Sequence, residues 1–337
     1  MIRVGVIGCG RWGPNHIRVF GSLPDCEVVC AADQDEERLA NVRRLFPHVR
    51  CVGTPSEVIA DPRVDVAVVA TPTATHYEIV RKALDAGKHV LCEKPLCETA
   101  AQAEELVNMA RRRERVLLVG HVFLFNPGIL KVKEIIDAHE LGTVYYLSAV
   151  RVNLGPIRSD VNAAYDLAAH DVAIFNWLLN DTPETVSAAG TSYLQSGIED
   201  VVFMTLRYPG NVLAHIQASW LDPKKVRQIT VVGSERMLTW DDLQPSTPVA
   251  VYDKGAHVVQ EYKDYQEFLR VSMWDGEVRL PKVVPQEPLV AQASSLLQSI
   301  RQGTVGRSDG AFGVGVVRVL EAAAQSIKQR GAPVALR

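Results

Sequence analysis

Apolar residues follow two rhythms along this chain. Up to about residue 120 they gather in short, mostly apolar runs, Ile2 to Ile7, Cys26 to Ala32, Val64 to Ala70, Lys88 to Cys92 and Val116 to Val119. Between them the spacing is helical, and helices are expected from Pro14 to Ser22, Thr73 to Ala86 and Thr99 to Arg113. Strands this apolar, parted by helices, predict a parallel sheet covered on both faces. The expected arrangement is therefore doubly wound.

Past Gly120 the rhythm changes to alternation. After a helix from about Pro127 to Ala138, strands are expected at 144–153, 184–193, 199–208, 211–220, 226–233 and 248–262, with one mostly apolar face. Pro209-Gly210-Asn211 reads as a hairpin turn between two of them. A helix from about Asp166 to Leu179 interrupts the series, and two more, at 287–302 and 310–330, follow it. The fold class expected is α/β followed by an α+β domain with an open, mostly antiparallel sheet. Residues 1–121 form the first domain and 122–337 the second.

Composition narrows the partners. A 337-residue chain suits two cores rather than one. Its net charge of −3 gives no reason to expect nucleic acid or an anionic membrane. No apolar run of the roughly 18–20 residues that span a bilayer is evident, and Met1 leads directly into strand-like sequence, so a cytoplasmic location is expected. All six cysteines lie before residue 98 without a C-x-x-C pair, as small buried hydrophobes would. No metal site is expected.

The first chemical signal is Gly8-Cys9-Gly10-Arg11-Trp12-Gly13. It follows a strand, opens a helix and is trailed twenty residues later by Asp33, the context that makes a dinucleotide fingerprint specific. Gly8 serves the turn, Gly10 the approach of a pyrophosphate and Gly13 the packing of the helix, whose amino terminus takes the phosphates. The first domain is thus expected to be a Rossmann domain. Asp33 accepts from ribose hydroxyls and repels a 2′-phosphate, which favours NAD over NADP; it also suits the cap of the next helix. Thr71, Pro72 and His76 follow the strand at Val64 to Ala70, where small residues leave room for a nicotinamide ribose, and His76 either contacts the cofactor or only bonds the helix start.

The second signal is Glu93-Lys94-Pro95. Proline pushes the preceding residue out of the helical region, so Lys94 is expected extended at the carboxyl end of a strand, where open α/β sheets bind ligands. A lysine partly desolvated there can exchange protons near neutral pH; the plain alternative is a solvated lysine after a strand. The third signal lies in the second domain. Arg151, Asn153, Arg158 and Asn162 fall on a strand and glycine-proline loop suited to an anionic ligand, although Arg151 also suits a strand residue paired with an acid. Asp166 and His170 are four apart, on one helical face.

Taken in this order, the glycine fingerprint, Thr71-Pro72-x-x-x-His76, Glu93-Lys94-Pro95 and Asp166-x-x-x-His170 resemble the Gfo/Idh/MocA family of NAD(P)-dependent oxidoreductases over essentially the whole chain. The resemblance implies that Lys94 and His170, with Asp166 beside them, flank the substrate carbon; either could take the hydroxyl proton, and Lys94 is read here as the base, with His170 orienting the hydroxyl or passing the proton on. It also implies Glu93, Arg11 and Trp12 near the cofactor, and an open sheet that buries a subunit interface, as a homodimer or homotetramer. Asn153 to Asn162, with Gly120-His121 to Pro127, is similar to the branch that oxidises the 3-hydroxyl of UDP-N-acetylglucosamine or its uronate. That resemblance adds His121 to the substrate residues. The 3-keto product would feed a pyridoxal-dependent aminotransferase and a 3-amino sugar for a surface lipopolysaccharide. Inositol or other sugar dehydrogenases, NAD-dependent glycosidases and non-enzymatic sensors share the family's fold, and retention of both Lys94 and His170 argues against a sensor.

Overall fold

The computed structural model describes residues 1–259 and 270–336. The chain divides into two compact units, Met1–Phe125 with Gln286–Glu321, and Asn126–Pro285 with the residues from Ala322 on.

The first unit opens with β1 (Ile2–Ile7), α1 (Gly13–Gly21), β2 (Cys26–Ala32), α2 (Glu36–Leu45), β3 (Arg50–Val52), α3 (Pro55–Ala60), β4 (Val66–Val69), α4 (His76–Asp85), β5 (His89–Cys92), α5 (Ala100–Arg112) and β6 (Leu117–Val119). All six strands are parallel, in the order β3-β2-β1-β4-β5-β6. This is the doubly wound order, with its switch point between β1 and β4. Alternate residues of one strand face opposite layers, as in β4, where Ala67 and Val69 join one core cluster while Val66 and Val68 join the other. Side chains such as Phe20, wholly buried, contribute roughly 1.5–3 kcal/mol each by leaving water.

In the second unit come α6 (Pro127–Asp137), β7 (Val144–Val152), α7 (Ala169–Leu179), β8 (Thr185–Thr191), β9 (Val201–Tyr208), β10 (Val212–Ser219), β11 (Val226–Gly233), β12 (Met237–Asp241), β13 (Val249–Val259) and β14 (Arg270–Arg279). Then follow α8 (Pro288–Gln302), α9 (Gly310–Lys328) and β15 (Val334–Ala335). Nine described strands form one sheet, β14-β13-β12-β11-β7-β10-β9-β8-β15, antiparallel except where β7 and β10 run parallel. The Pro209 turn joins β9 to β10 as expected, with Gly210 and Asn211 both at positive φ. The last expected strand, 248–262, runs past the described residues at its end.

The division of the chain differs from the one read in the sequence, which gave everything beyond 121 to the second domain. Residues 286–321 return to the first unit. A parallel sheet must be covered on both faces, and β6 needs the returning helices for that. Leu118 packs in the cluster holding Leu296 of α8, and Val119 in the cluster holding Val317 of α9. Among the described residues α9 is long and apolar enough to cross a bilayer by length, but 56% of that stretch is buried within the protein, as in a core helix.

One face of the large sheet carries its buried side chains, among them Leu147, Ala149, Met204, Ile216 and Val231. The opposite face shows Tyr146 paired with Leu213, and Phe203 paired with Gln217. Tyr146, Phe203 and Leu213 are exposed. Trp220 is 1% exposed. It lies just past the end of β10, where its indole N–H finds Asp166.

Candidate functional site

Cofactor-binding geometry is built at the carboxyl end of β1. Gly8 stands at φ 97°, a conformation open to glycine, and a side chain on Gly13 would overlap the Gly8 carbonyl. Around Gly10 the nearest foreign atom to an added Cβ is the Arg38 Nη1, 3.8 Å away. Helix α1 starts beneath this loop with no side-chain cap and no acid in its first turn. Its first amides are therefore left for an anion, the arrangement that receives a pyrophosphate. Arg11 is exposed and gives its carbonyl to Asn15, and the Trp12 side chain is 40% exposed.

Asp33 ends β2 with its side chain 9% exposed. Its Oδ2 accepts the Cys9 N–H at 2.7 Å and its Oδ1 the Asp35 N–H at 2.9 Å. The helix cap left open in the sequence is Asp35, which accepts from Glu37 and Arg38. Asp33 keeps lone pairs for a ribose, since a carboxylate has about four acceptor positions. Arg38 stands 3.6 Å from it and also pairs with Asp35.

The loop after β4 is knitted from within. Thr75 Oγ1 donates to Thr71 Oγ1 and lies 2.8 Å from the Pro72 carbonyl. His76 is buried, with Nδ1 2.9 Å from the Pro95 carbonyl and Nε2 2.9 Å from the Thr71 carbonyl. Both ring nitrogens face main-chain carbonyls, as the helix-start reading has it, and His76 ties the Thr71 loop to the Lys94 loop.

Lys94 follows β5 at the carboxyl end of the sheet, 9% exposed, and the Lys94-Pro95 peptide is cis. Glu93 before it turns inward. Its Oε1 lies 2.9 Å from Nε2 of His16, and its Oε2 accepts the Lys94 main-chain N–H at 3.3 Å. Gly120 on the neighbouring strand end makes room for it, since a Cβ there would stand 2.9 Å from Glu93 Oε2. His121 follows at 1% exposure, its ring edge on Phe312 at 5.8 Å and neither ring nitrogen hydrogen-bonded. Burial, together with the charge of Lys94, pushes its pKa down to about 3.

His16 is the residue that sequence reading missed. It sits one turn into α1 with Phe20 four residues on, both buried, so a signal was present in the helical spacing. A polar residue on that inward face needs a partner, and Glu93 is that partner.

In the second unit, a π-turn at Ala164–Ala168 carries Asp166 and runs into α7, which carries His170. Such turns recur at functional sites. Asp166 Oδ2 accepts the Trp220 indole N–H at 3.1 Å, and Oδ1 accepts Arg158 Nη1 at 3.3 Å. Asn162 donates to Glu199 at 2.7 Å and accepts the Tyr165 N–H. Asn153 folds its amide over Gly155, where a side chain would collide with it.

The two arginines expected to hold an anion are already engaged. Arg151 is 2% exposed and forms two 2.8 Å bonds to Asp171, while Arg158 pairs with both Asp160 and Asp166. Arg151 is thus the strand residue paired with an acid, and Arg158 lies in a group whose acids outnumber it.

Family comparisons agree with both units. Residues 2–121 match the oxidoreductase family with an NAD-binding Rossmann fold, and 129–239 match the GFO/IDH/MocA C-terminal domain. The chain belongs to the Gfo/Idh/MocA family. It is an NAD-binding oxidoreductase of that family. Inositol 2-dehydrogenase 2 of Saccharopolyspora erythraea is 32% identical over 64% of this chain and 66% of its own length. UDP-N-acetylglucosamine 3-dehydrogenase of Acidithiobacillus ferrooxidans is 28% identical over 77% of this chain and 79% of its own. The crystal structure of GenD2 from gentamicin A biosynthesis, in complex with NAD, superimposes with a TM-score of 0.83 at 25% identity, covering 100% of this chain and 96% of that one.

Proposed function

We propose that this protein oxidises a secondary ring hydroxyl of a sugar or cyclitol, with Lys94 as the base that takes the hydroxyl proton. The observation that carries this reading is Lys94 itself, nine-tenths buried at the carboxyl end of β5, one strand from the switch point of a sheet whose glycine loop fits NAD. NAD, when bound, accepts the hydride. His16 and Glu93 hold the backbone on which Lys94 stands, and His76 holds the loop beyond it. Asp166 and His170 of the second unit are assigned to the same substrate by family resemblance.

A ring hydroxyl rather than a diphosphate is favoured as the recognised group because Arg151 and Arg158 are neutralised by neighbouring acids. The UDP-N-acetylglucosamine reading is supported by the resemblance of Asn153 to Asn162 and Gly120 to Pro127 to that branch and by the relative of that activity at 28% identity. If it holds, the 3-keto product is suited to a pyridoxal-dependent aminotransferase. The uncovered face of the large sheet, with Tyr146, Phe203 and Leu213, supports a homo-oligomer built through that sheet.

The test is a panel of inositols, free sugars, UDP-N-acetylglucosamine and its uronate, incubated with NAD and read by nicotinamide absorbance and by loss of two hydrogens in mass spectrometry. Oxidation of a free cyclitol or sugar supports the first reading, and oxidation of a UDP sugar alone supports the second. Cleavage of a glycoside with no net NADH would move the protein to the glycosidase class.

A further inference from the structure

Asp166 takes a hydrogen bond on each carboxylate oxygen, from the Trp220 indole on Oδ2 and from Arg158 on Oδ1, while its own main-chain N–H bonds the Asn162 carbonyl at 3.0 Å. Trp220, Arg158 and Asn162 are all tied in turn to one short segment between β8 and β9, Gln195 to Asp200. Gln195 Nε2 donates to the Arg158 carbonyl at 3.2 Å, and the Asp200 carbonyl accepts the Trp220 main-chain N–H at 3.0 Å. Glu199 grips the start of the turn itself. Its Oε2 accepts the Asn162 side-chain amide at 2.7 Å, and its carbonyl accepts the Ala163 N–H at 2.9 Å.

The segment is anchored from below. Asp200 is wholly buried, its Oδ2 accepts the N–H groups of Tyr193 at 2.6 Å and Leu194 at 2.9 Å, and its own N–H bonds the Thr191 carbonyl at 3.0 Å. Gly190 on β8 leaves space for the Glu199 stem, since a Cβ there would stand 3.1 Å from Glu199 Cγ. The contact from Glu199 to Asn162 is the shortest of these ties to the turn, and a carboxylate acceptor makes it one of the stronger hydrogen bonds a protein forms. Asn162 spends its other amide atom inside the turn, Oδ1 accepting the Tyr165 N–H at 3.1 Å.

We propose that Glu199 is a positioning residue for Asp166: through Asn162 it fixes where the turn begins, and so where the Asp166 carboxylate meets the Trp220 indole and Arg158. Because Glu199 is joined in the chain to Asp200, one strand start holds the turn that carries the carboxylate and the tryptophan that donates to it. Released from Glu199, the turn keeps its internal bonds but loses its fixed distance from Trp220. A misplacement of about 1 Å can cost about 10²-fold in rate. The consequence for turnover rests on Asp166 serving the substrate, as read above, whereas the bracket is a set of contacts that exists without substrate.

The Trp220 indole N–H reports this geometry in the full chain, as a ¹⁵N–¹H signal assigned by its loss in Trp220→Phe. Glu199→Ala is expected to move the signal upfield, toward its position in Asp166→Ala. With whichever sugar or cyclitol the panel identifies, kcat should fall about 10- to 100-fold while KM for NAD stays unchanged. Asn162→Asp, which sets two carboxylates against each other, is expected to do the same. Asn162→Asp combined with Glu199→Gln reverses donor and acceptor across the contact and keeps an oxygen for the Tyr165 N–H, so it is expected to return the signal and, with it, kcat. A signal unmoved in Glu199→Ala, a kcat that holds there while Asp166→Ala loses it, or a reversed pair that leaves the signal displaced would overturn the proposal. Should Glu199→Ala fail to fold, Asn162→Asp with and without Glu199→Gln decides alone: return of the signal sustains the proposal and its continued displacement overturns it. If the signal moves and returns while Asp166→Ala keeps full turnover, the assignment of Asp166 to the substrate fails and the bracket stands.

Discussion

Arg151 and Asp171 face one another in a two-pronged ion pair, Nε to Oδ2 and Nη2 to Oδ1, each 2.8 Å, with side chains 3% and 2% exposed. The pair bolts strand β7 to helix α7 one residue after His170. Removing one partner of a buried pair strands the other charge, at about 3–5 kcal/mol. Arg151→Met is therefore expected to lower unfolding free energy by about that amount in a urea titration, and Arg151→Met with Asp171→Leu to recover most of it. A variant of normal stability but weak substrate binding would return Arg151 to the role of a ligand for anions.

Lys94→Ala is expected to leave NAD binding intact while turnover falls by about 10²- to 10⁴-fold, the usual loss for an acid–base group. His170→Asn should fall less. Fluorescence titration with NADH separates the binding from the chemistry, and near-normal turnover in Lys94→Ala would remove it from the reaction.

Cofactor preference is expected to turn on Asp33. Its replacement by Ser deletes the acceptor for a ribose and the charge that opposes a 2′-phosphate, leaving Arg38 nearby as a cation. NAD affinity is expected to fall and the gap between NAD and NADP to narrow, as read by titration with each. An unaltered preference would mean that the adenosine ribose is held elsewhere.

His121 gives a stability that depends on pH. The unfolded imidazole takes up a proton near pH 6.5, while in the folded protein burial, followed by the charge of Lys94, delays this to about pH 3. Between those values the unfolded state binds more protons, so this contribution is present above pH 6.5 and is lost as pH falls toward 3. Denaturant titrations at pH 7.5 and 5 should show a smaller loss for His121→Phe than for wild type. Equal losses would place the proton uptake at other groups.

Light scattering at micromolar concentration is expected to report a homo-oligomer, and Phe203→Asp to shift it toward the monomer. Phe203 is 45% exposed on the uncovered sheet face, and a charge there opposes burial against a second copy. A wild-type monomer would contradict the arrangement.

The first unit was legible because its signals are local. The runs at Ile2 to Ile7 and Cys26 to Ala32 need only be apolar to become buried parallel strands, and the strands found there have the same bounds. Strand β3 and helix α3, three and six residues long, carry too little pattern to be read, and α2, ten residues with only Leu39 and Val42 buried, was not read either. In the second unit β12 and β15, five and two residues long, went unread, as did the ten-residue β14. At the site, residue types identified Glu93, Lys94, Asp33 and the glycine loop by their neighbours in sequence. Pairings over distance were beyond such reading: His16 with Glu93 is separated by 77 residues and Arg151 with Asp171 by 20. An arginine in a polar loop looks the same whether it awaits a phosphate or already holds an acid.

The return of residues 286–321 to the first unit, and of those from Ala322 on to the second, bears on how this protein can be recombined. Each half is made of two separated stretches of chain. Ser326 accepts the Ala188 N–H at 2.9 Å and β15 pairs with β8, so the second half depends on the carboxyl end as much as the first depends on α8. A fragment ending at 121 would leave both faces of β6 without their covering helices, and no single truncation isolates either half. Grafting a foreign second half onto this first half therefore takes three junctions, near 125, 285 and 321, the last inside a continuous helix whose register the graft must keep.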